Sequence, residues 1–324
     1  MNLLLALFYI SRTMKIRNMC GYIFILLLVS CHQKDEGIYD PDQSYEVVVN
    51  GIIDSLFEND NTDVLPHCIV SVIRNNVEVQ QHSFFIETTA ARSIKDMKYP
   101  LLELNLPSGE YYLLAWIDYR ITEDSPYYIT ENLRSVRMKS EVAGMDKKAY
   151  AAVLPLTIFP DSPIGQICNL DFYSPLSSYT LTTDLKEESL DERMTAILTY
   201  KGYLPIAYDV LSGRCVASLA NPTMRYDGIQ KERDKYIVAS DCLFMNKGKI
   251  SSLDMGVTIG NSKGGIVYHA PSISFSLEAA RHITKHVEMA DLGESNIIDG
   301  EITGEINIIT VSYTHLTLPT NSLV

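Results

Sequence analysis

Two patterns in the sequence contain residue types that catalyse hydrolysis. Residues 260–264, Gly-Asn-Ser-Lys-Gly, fit the Gly-x-Ser-x-Gly pattern of hydrolases, in which the serine lies on a turn between a strand and a helix. Here strand-like segments flank the pattern on both sides, so it predicts a hairpin turn. The acidic run at residues 187–192 could supply paired carboxylates, but Lys186 and Arg193 beside it favour an exposed face. The sequence therefore predicts no catalytic residue and no enzyme.

Histidines and acids also occur at spacings that suit metal ions. His282 and His286 would share one face of a helical turn predicted at residues 277–286, with Glu288 nearby. However, the glutamate that follows the first histidine of a zinc motif is missing. Residues 60–63 lack the glycine and the distal glutamate of a calcium loop. The sequence therefore predicts no metal site and no cofactor.

Cys31 is the residue most clearly marked for covalent modification. An apolar run at residues 22–29 ends at Ser30, directly before the cysteine, and polar residues follow at once. A run of this length is too short to span a bilayer, and the peptidase of bacterial lipoproteins requires a small residue before the cysteine. The pattern predicts cleavage before Cys31, lipidation of that cysteine, and attachment to a membrane through its acyl chains.

The basic residues before the apolar run support this interpretation. Lys15 and Arg17 supply the cationic part of a signal peptide, so Met14 is a better start than the first residue. They argue against a single membrane-spanning anchor over residues 3–29, because charge in the middle of a bilayer is costly. We expect upstream residues and signal peptide at residues 1–30 and a lipidated tether at residues 31–43.

The four residues Gln33, Lys34, Asp35 and Glu36 follow the cysteine closely. They resemble the lysine-plus-acid export signal that sends lipoproteins of Bacteroidetes-type bacteria to the outer face of the outer membrane. The alternative is an ordinary solvated tether. The resemblance implies a lipid-anchored protein of the outer membrane that is exposed at the cell surface.

The charge of the chain excludes one class of partner. The 324 residues include 27 Lys and Arg and 40 Asp and Glu, a formal net charge of −13. Removing residues 1–30 takes away three basic residues and no acid, which brings the charge to −16. Such a chain repels nucleic acid and anionic lipid head groups, so we expect no nucleic acid partner and membrane binding only through the lipid.

The sequence leaves open the disulfide state of the widely spaced Cys68, Cys168, Cys215 and Cys242.

Short alternating runs rich in β-branched and aromatic residues predict an all-β protein. The predicted strands are residues 45–51, 68–73, 101–106, 111–119, 179–183, 236–239, 255–259 and 265–268. The Pro-Ser-Gly turn at residues 107–109 predicts that the strands before and after it pair as a hairpin. Helical turns are expected only at residues 191–199 and 277–286. This pattern is typical of antiparallel β-sandwiches.

A break in the strand pattern predicts two domains. Two prolines within residues 160–165 interrupt any regular element, so we place the boundary at residue 166. At the end of the chain, residues 311–324 resemble a translated sequencing adaptor and are not expected to pack. The expected units are an N-terminal β-sandwich at residues 44–166, a C-terminal β-sandwich at residues 167–310 and a non-native tail at residues 311–324.

Several short motifs occur in a characteristic order. Residues 106–119 (LPSGEYYLLAWIDY) precede residues 127–133 (YYITENL), and further along come residues 171–179 (DFYSPLSSY), 200–208 (YKGYLPIAY) and 302–308 (ITGEINI). In this order they resemble the motifs of fimbrillin-like lipoproteins of Bacteroidales, in the group related to fimbrial anchors and minor subunits. The chain departs from that family at residues 281–286, where the penultimate strand is expected, and at Tyr173 and Ser174, where a basic residue is usual.

The resemblance implies a fold and a function. It implies two tandem transthyretin-like sandwiches with Greek-key connections, which act as a fimbrial anchor, accessory subunit or adhesin by β-strand complementation with fimbrial subunits. In shaft subunits of the family, cleavage after an arginine removes the first strand. This chain has no arginine between Cys31 and Arg74, so we expect it to keep both its first strand and its lipid.

The alternative function is that of a surface protein that binds a ligand or a glycan and has no role in fimbriae. Such a protein needs exposed tyrosines around a concave site, for which Tyr127 and Tyr128 are the candidates. The only tryptophan, Trp116, lies in an apolar run and is predicted to be buried in the core.

Overall fold

The computed structural model describes residues 43–52, 65–86, 98–120, 122, 124–125, 127–139, 147–160, 166–186, 194–262, 265–292 and 308–311. Every helix or strand in these residues is a β-strand, which confirms the all-β prediction. Across these ranges, no helix has the length and hydropathy needed to cross a membrane.

The strands are numbered in chain order. The first half of the chain contains β1 (Ser44–Ile52), β2 (Leu65–Arg74), β3 (Val77–Phe85), β4 (Lys98–Pro107), β5 (Gly109–Arg120), β6 (Tyr128–Ile129), β7 (Val136–Met138), β8 (Ala149–Ile158) and β9 (Gln166–Asp171). The second half contains β10 (Leu176–Thr183), β11 (Thr195–Lys201), β12 (Tyr203–Asp209), β13 (Arg214–Ala220), β14 (Thr223–Asp227), β15 (Gln230–Glu232), β16 (Lys235–Phe244), β17 (Ile250–Gly260), β18 (Ile266–Glu278), β19 (His282–His286), β20 (Ala290–Asp291) and β21 (Ile308–Val311).

The first sandwich consists of two sheets with strand orders β4-β1-β9 and β3-β2-β5-β8. Alternate residues of β1 point inward, and Val47 and Val49 are fully buried against Val70, Leu104 and Leu113. Asn75 and Asn76 adopt φ values of 51° and 63° in the turn between β2 and β3. Positive φ at both central residues is the geometry that joins two antiparallel strands in a tight hairpin.

Strands β2 and β5 are buried on both faces. In β2, Val70 and Val72 point into the first sandwich, whereas Ile69 and Ile73 belong to a separate apolar cluster on the opposite face. The same holds in β5, where Leu113 faces the sandwich core. Because both faces are apolar, these strands read as continuous hydrophobic runs instead of alternating ones. Another part of the chain must therefore cover the outer face of this sheet.

The second sandwich packs a four-stranded sheet, β15-β16-β10-β19, against a six-stranded sheet, β20-β18-β17-β11-β14-β21. Its core includes Tyr179, Tyr200, Tyr226 and Met255. The hairpin predicted at residues 260–264 is confirmed, because β17 and β18 pair antiparallel on either side of it. A glycine-serine turn between two paired strands is not the strand-to-helix turn of a hydrolase.

A fifth sheet joins the two halves of the chain. It has the order β13-β12-β7-β6, so two strands from each half form one sheet, and Val136 pairs with Tyr208 across the junction. Beneath it lies the apolar cluster that covers the outer face of β2 and β5, including Trp116, Tyr128 and Phe244. The two sandwiches therefore share a packed core of their own.

The chain passes from the first sandwich to the second after β9, which is one strand later than the predicted boundary at residue 166. Strand β9, which begins there, pairs in parallel with residues Val47–Ile52 of β1 and completes a sheet of the first sandwich. The first strand of the second sandwich is β10, which begins at Leu176. The proline-containing segment at residues 160–165 thus connects two strands of one sandwich. A turn signal of this kind marks a connection but not whether the connection lies within a domain.

Two other local predictions are wrong. Strands β4 and β5 do not form a hairpin, because β4 pairs with β1 while β5 pairs with β2 and β8 in the other sheet. Gly109, with a φ of 152°, lies where the chain passes between the sheets. The predicted helical turns at residues 191–199 and 277–286 are also incorrect. Strand β11 covers most of the first range, and the end of β18 together with β19, which pairs in parallel with β10, covers most of the second.

Candidate partner-binding surface

The first strand is an integral part of the first sandwich. It is the central strand of its sheet, antiparallel to β4 and parallel to β9. Val47 and Val49 are fully buried, and the hydroxyl of Tyr45 donates a hydrogen bond to the carbonyl oxygen of Pro160 at 2.5 Å. Removal of β1 would leave the facing edges of β4 and β9 without backbone partners and would open the core beneath them.

The first arginine after Cys31 is poorly placed for releasing β1. Arg74 is the last residue of β2, and its Nη2 donates a hydrogen bond to the Ser108 carbonyl oxygen at 3.3 Å. Its guanidinium carbon also lies 5.4 Å from the centre of the Tyr111 ring. Cleavage after Arg74 would separate β2 from β3, which are neighbours in the same sheet, and would not free β1 alone.

Several sheet edges present exposed apolar side chains. Among the described residues, β3, β9 and β13 each form the edge of a sheet. The exposed fraction is 65% for Ile167 on β9 and 51% for Val216 on β13, and Val77 and Val79 on β3 are also exposed. An edge strand presents backbone N–H and C=O groups to which another chain can add as a further strand. These edges are the surfaces of the molecule best suited to binding a strand.

A buried ion pair links the two halves of the chain. Lys147 Nζ lies 2.7 Å from Asp241 Oδ1, and both side chains are almost fully buried. Asp241 also accepts hydrogen bonds from the hydroxyl of Tyr226 at 3.2 Å and from the backbone N–H of Cys242 at 2.8 Å. Burial of these two charges is tolerable because they are paired and hydrogen-bonded.

The hydroxyl groups of buried tyrosines extend this polar network into the second sandwich. The hydroxyl groups of Tyr179 and Tyr200 share a hydrogen bond of 2.5 Å. The hydroxyl oxygen of Tyr179 also lies 3.5 Å from the hydroxyl oxygen of Tyr226. Burial raises the pKa of Tyr179 and of Tyr226 well above the ordinary value of 10. These tyrosines are therefore neutral donors at physiological pH, and Tyr226 donates to a carboxylate.

One constellation of nucleophile, base and acid is present that the sequence patterns did not indicate. The Ser83 hydroxyl lies 2.9 Å from His67 Nε2, and His67 Nδ1 lies 3.8 Å from Asp118 Oδ1. These residues come from three neighbouring strands, with His67 directly opposite Asp118. A catalytic triad needs a hydrogen bond between the histidine and the acid, and 3.8 Å is too long for one.

The acid of this constellation is engaged elsewhere. Arg120 Nε donates to Asp118 Oδ1 at 2.7 Å, and its Nη2 donates to Oδ2 at 3.1 Å. Burial and the Arg120 guanidinium lower the pKa of His67 to about 4, although Asp118 opposes this. An imidazole with such a pKa is a weak base at neutral pH, so the arrangement favours a structural role over catalysis.

The buried histidine predicts a pH dependence of stability. Because the pKa of His67 is lowered in the folded state, its neutral form contributes fully above pH 6.5, and this contribution is lost as the pH falls from 6.5 towards 4. We expect a loss of about 2 to 3 kcal/mol in the free energy of unfolding between pH 7.5 and 4.5. Urea unfolding at both pH values would measure it. His67→Gln should remove this component, and an unchanged pH dependence in that variant would contradict the assignment.

The remaining site candidates occupy structural positions. His282 and His286 lie on strand β19, where Ser178 and Thr182 of β10 are their neighbours at 2.9 Å and 3.5 Å. Within the described ranges there is no group of three or more His, Cys, Asp or Glu that could hold a metal ion.

Trp116 is fully buried, as predicted. Tyr128 is buried as well, so it cannot line the exposed site that the glycan-binding alternative requires.

The four cysteines of the sandwiches are free thiols in the structure. Cys68, Cys168 and Cys242 are buried, whereas Cys215 is partly exposed. Burial raises the pKa of both Cys168 and Cys215 to about 11, so neither is a reactive thiolate at neutral pH.

Several predictions concern residues outside the described part of the chain. These are the lipidation site Cys31, the export residues 33–36, the acidic loop at 60–63, the acidic run at 187–192 and the tail beyond residue 311.

Comparisons with solved structures find several similar proteins of low sequence identity. A candidate adhesin of Bacteroides ovatus is 11% identical, with 78% of this chain and 95% of that chain covered and a TM-score of 0.47. The fimbrial anchor protein Mfa2 of Porphyromonas gingivalis is 13% identical, with 70% and 82% covered and a TM-score of 0.41. A fimbrial assembly protein of Parabacteroides distasonis is 8% identical, with 76% and 93% covered and a TM-score of 0.40.

A comparison of the sequence with family models gives a direct assignment. No curated protein matches the sequence. Residues 37–289 match the model of a family of unknown function, DUF6562, and this range contains strands β1 to β19. The chain therefore belongs to the DUF6562 family.

Proposed function

We propose that this chain is a lipoprotein of the outer membrane, exposed at the cell surface, that serves as a fimbrial anchor, accessory subunit or adhesin. It attaches through the lipid on Cys31 and binds a fimbrial subunit by accepting one of its strands at a sheet edge. The signal pattern before Cys31 and the export residues that follow it support the location. The family resemblance of the motifs from residue 106 onward supports the role.

The observation that carries the proposal is the position of β1. It is the central strand of its sheet, and no arginine precedes it in the mature chain. A subunit that polymerises by losing its first strand needs a cleavage site before the end of the connection that follows this strand. This chain instead keeps the strand beside the lipidated tether. It therefore remains attached to the membrane and offers an outer edge to its partner.

Strand addition explains how the chain can bind a partner firmly through backbone groups. Main-chain hydrogen bonds along an edge supply affinity, and alternate side chains of the added strand enter pockets that select it. Edges β3, β9 and β13 are available for this in the described part of the chain. The proposed activity is therefore binding and not catalysis.

Copurification from the membrane tests the proposal. The full-length chain, solubilised from outer membranes in mild detergent, is expected to bring with it other fimbrial subunits that mass spectrometry can identify. A Cys31→Ser variant is the matched control, since it should leave the membrane fraction because it cannot be lipidated. Recovery of the lipidated protein without any fimbrial subunit would contradict the proposal and would favour a ligand-binding role.

A further inference from the structure

Strand β13 is an exposed sheet edge that carries no charge after its first residue. Five of its seven residues are exposed, and after Arg214 it contains no charged residue and no proline. Natural proteins usually protect an edge strand with charge, proline or a bulge, because an exposed apolar edge attracts another strand. The pairing with β12 shifts on both sides of Ala217: Val216 has no partner residue, and Ile206 of β12 is skipped between the partners of Ser218 and Ala217. The segment from Ser218 to Ala220 is regularly paired and uncharged.

A groove opens beside this edge at the junction of the two sandwiches. It has a volume of about 610 Å³, and its apolar lining is formed by Ile73, Leu114, Leu133 and Val216. Ile73 and Leu114 belong to the outer face of the first sandwich, and Val216 belongs to β13. Grooves of roughly 300 to 1,000 Å³ at domain junctions are the usual size and place of binding sites. This groove is large enough to take apolar side chains from an added strand.

The charged residues around the groove select the sign of the partner. Three acids, Glu78, Glu131 and Asp209, line it together with one base, Arg134. Arg134 Nε lies 3.9 Å from Asp209 Oδ1, so the only basic group of the lining is directed at one of these acids. The other two carboxylates leave the groove negative. Complementary charge favours a basic partner and excludes an acidic one.

A second edge strand reaches the same groove. Glu78 lies on β3, the edge of the neighbouring sheet, between the exposed residues Val77 and Val79. Both β3 and β13 therefore contribute to the lining, one from the first sandwich and one from the sheet that joins the two halves. An extended segment lying in the groove would meet a sheet edge and an acidic residue at the same time.

We propose that β13 and this groove form the docking site for an extended strand of a partner protein in which apolar residues alternate with Lys or Arg. The strand pairs with the backbone of residues 218–220, its apolar side chains enter the groove, and its basic side chains face Glu78 and Glu131. A second copy of this chain is the less suitable occupant, because two mature chains that each carry the net charge of −16 derived above repel one another. The inference rests on the proposed function, since it names the edge and the kind of strand involved.

Peptide binding tests the site independently of any cellular partner. Two fluorescent ten-residue peptides, one alternating Val with Lys and one alternating Val with Glu, are titrated into the purified full-length chain in detergent. We expect the lysine peptide to bind at least tenfold more tightly, by an amount that decreases with added salt. Equal affinities for the two peptides, or no binding of either, would overturn the inference.

Paired variants locate the binding. Val216→Lys places a charge on the β13 edge, and Ile167→Lys places one on the β9 edge as a matched control. Glu131→Lys reverses a charge at the groove, and Glu103→Lys reverses an exposed one on β4. We expect Val216→Lys and Glu131→Lys each to weaken binding of the lysine peptide about tenfold, with less than a twofold change in the controls. Equal losses in a variant and its control would overturn the site.

Photo-crosslinking in cells separates this inference from the proposed function. A photoreactive amino acid is placed at Ser218 on β13 or at Ile167 on β9. Crosslinks to a fimbrial subunit only from position 218 support the site. Crosslinks only from position 167 would overturn the site and leave the proposed function intact, and a crosslinked dimer of this chain would show that a second copy occupies β13. If no fimbrial subunit is recovered with either, the proposed function fails, and the peptide titration alone decides the inference.

Discussion

Lys147→Met is expected to lower the free energy of unfolding by about 3 to 5 kcal/mol. The change leaves the Asp241 carboxylate almost completely buried without its cation, while the Tyr226 hydroxyl and the Cys242 N–H still donate hydrogen bonds to it. Because the pair joins the two halves of the chain, the junction should loosen together with the overall loss of stability. Denaturant unfolding followed by circular dichroism measures the effect.

A second variant separates the loss of the pair from an uncompensated charge. In Lys147→Met combined with Asp241→Asn, the amide oxygen can still accept from Tyr226 and no charge remains buried. We expect the double variant to recover about 2 kcal/mol relative to Lys147→Met alone. Lys186→Met is the surface control, since its ion pair with Asp291 is solvent-exposed and should contribute less than about 1 kcal/mol. Equal effects of Lys147→Met and Lys186→Met would contradict the importance of the buried pair.

Phe244→Ala is expected to cost about 3 to 5 kcal/mol. Phe244 is fully buried in the junction, with its ring centre 5.6 Å from that of Tyr208 and 6.3 Å from that of Trp116. Removing the ring leaves a cavity between aromatic side chains of both halves, which cannot collapse without shifting the sheets. The fluorescence of Trp116, the only tryptophan, reports unfolding of this junction directly.

The same substitution on the surface serves as the control. Phe159 has an exposed fraction of 64%, so Phe159→Ala should change the free energy of unfolding by less than about 1 kcal/mol. If Phe244→Ala were equally mild, or if Trp116 fluorescence and circular dichroism gave separate transitions in the unaltered protein, the two sandwiches would not share one packed junction.

Much of the fold follows from local sequence patterns. Alternation and turn residues predict strands such as β1, β10 and β17 close to their observed positions, because each has one buried and one more exposed face. The hairpin at residues 260–264 could be predicted for the same reason, since both flanking strands alternate. In these segments the information is contained within a few neighbouring residues.

Strand pairing was harder to predict, because it depends on partners far away in the chain. The Pro-Ser-Gly turn before β5 has the composition of a hairpin, yet it connects strands of opposite sheets. Strand β9 follows a proline-rich break but pairs with β1, more than 100 residues earlier. Turn chemistry shows that the chain changes direction there, and it does not specify which strand the next segment will join.

The junction between the two sandwiches has a recognisable pattern in the sequence. The segments around Val70 and Trp116 are apolar without alternation, which is typical of strands covered on both faces. This pattern predicts that something packs on the outer sheet, although it does not identify what. The ion pair between Lys147 and Asp241, separated by 94 residues, and the edge of β13 depend on the three-dimensional arrangement and have no local signature.

The most direct test of the central claim is the mass of the mature N-terminal segment in protein isolated from outer membranes. We expect an N-terminal peptide that begins at Cys31, carries the mass of its acyl chains and remains continuous through residues 44–52. Protein that begins beyond Val49 and lacks the lipid would contradict it, because the first strand would then have been removed and the chain would no longer be anchored as proposed.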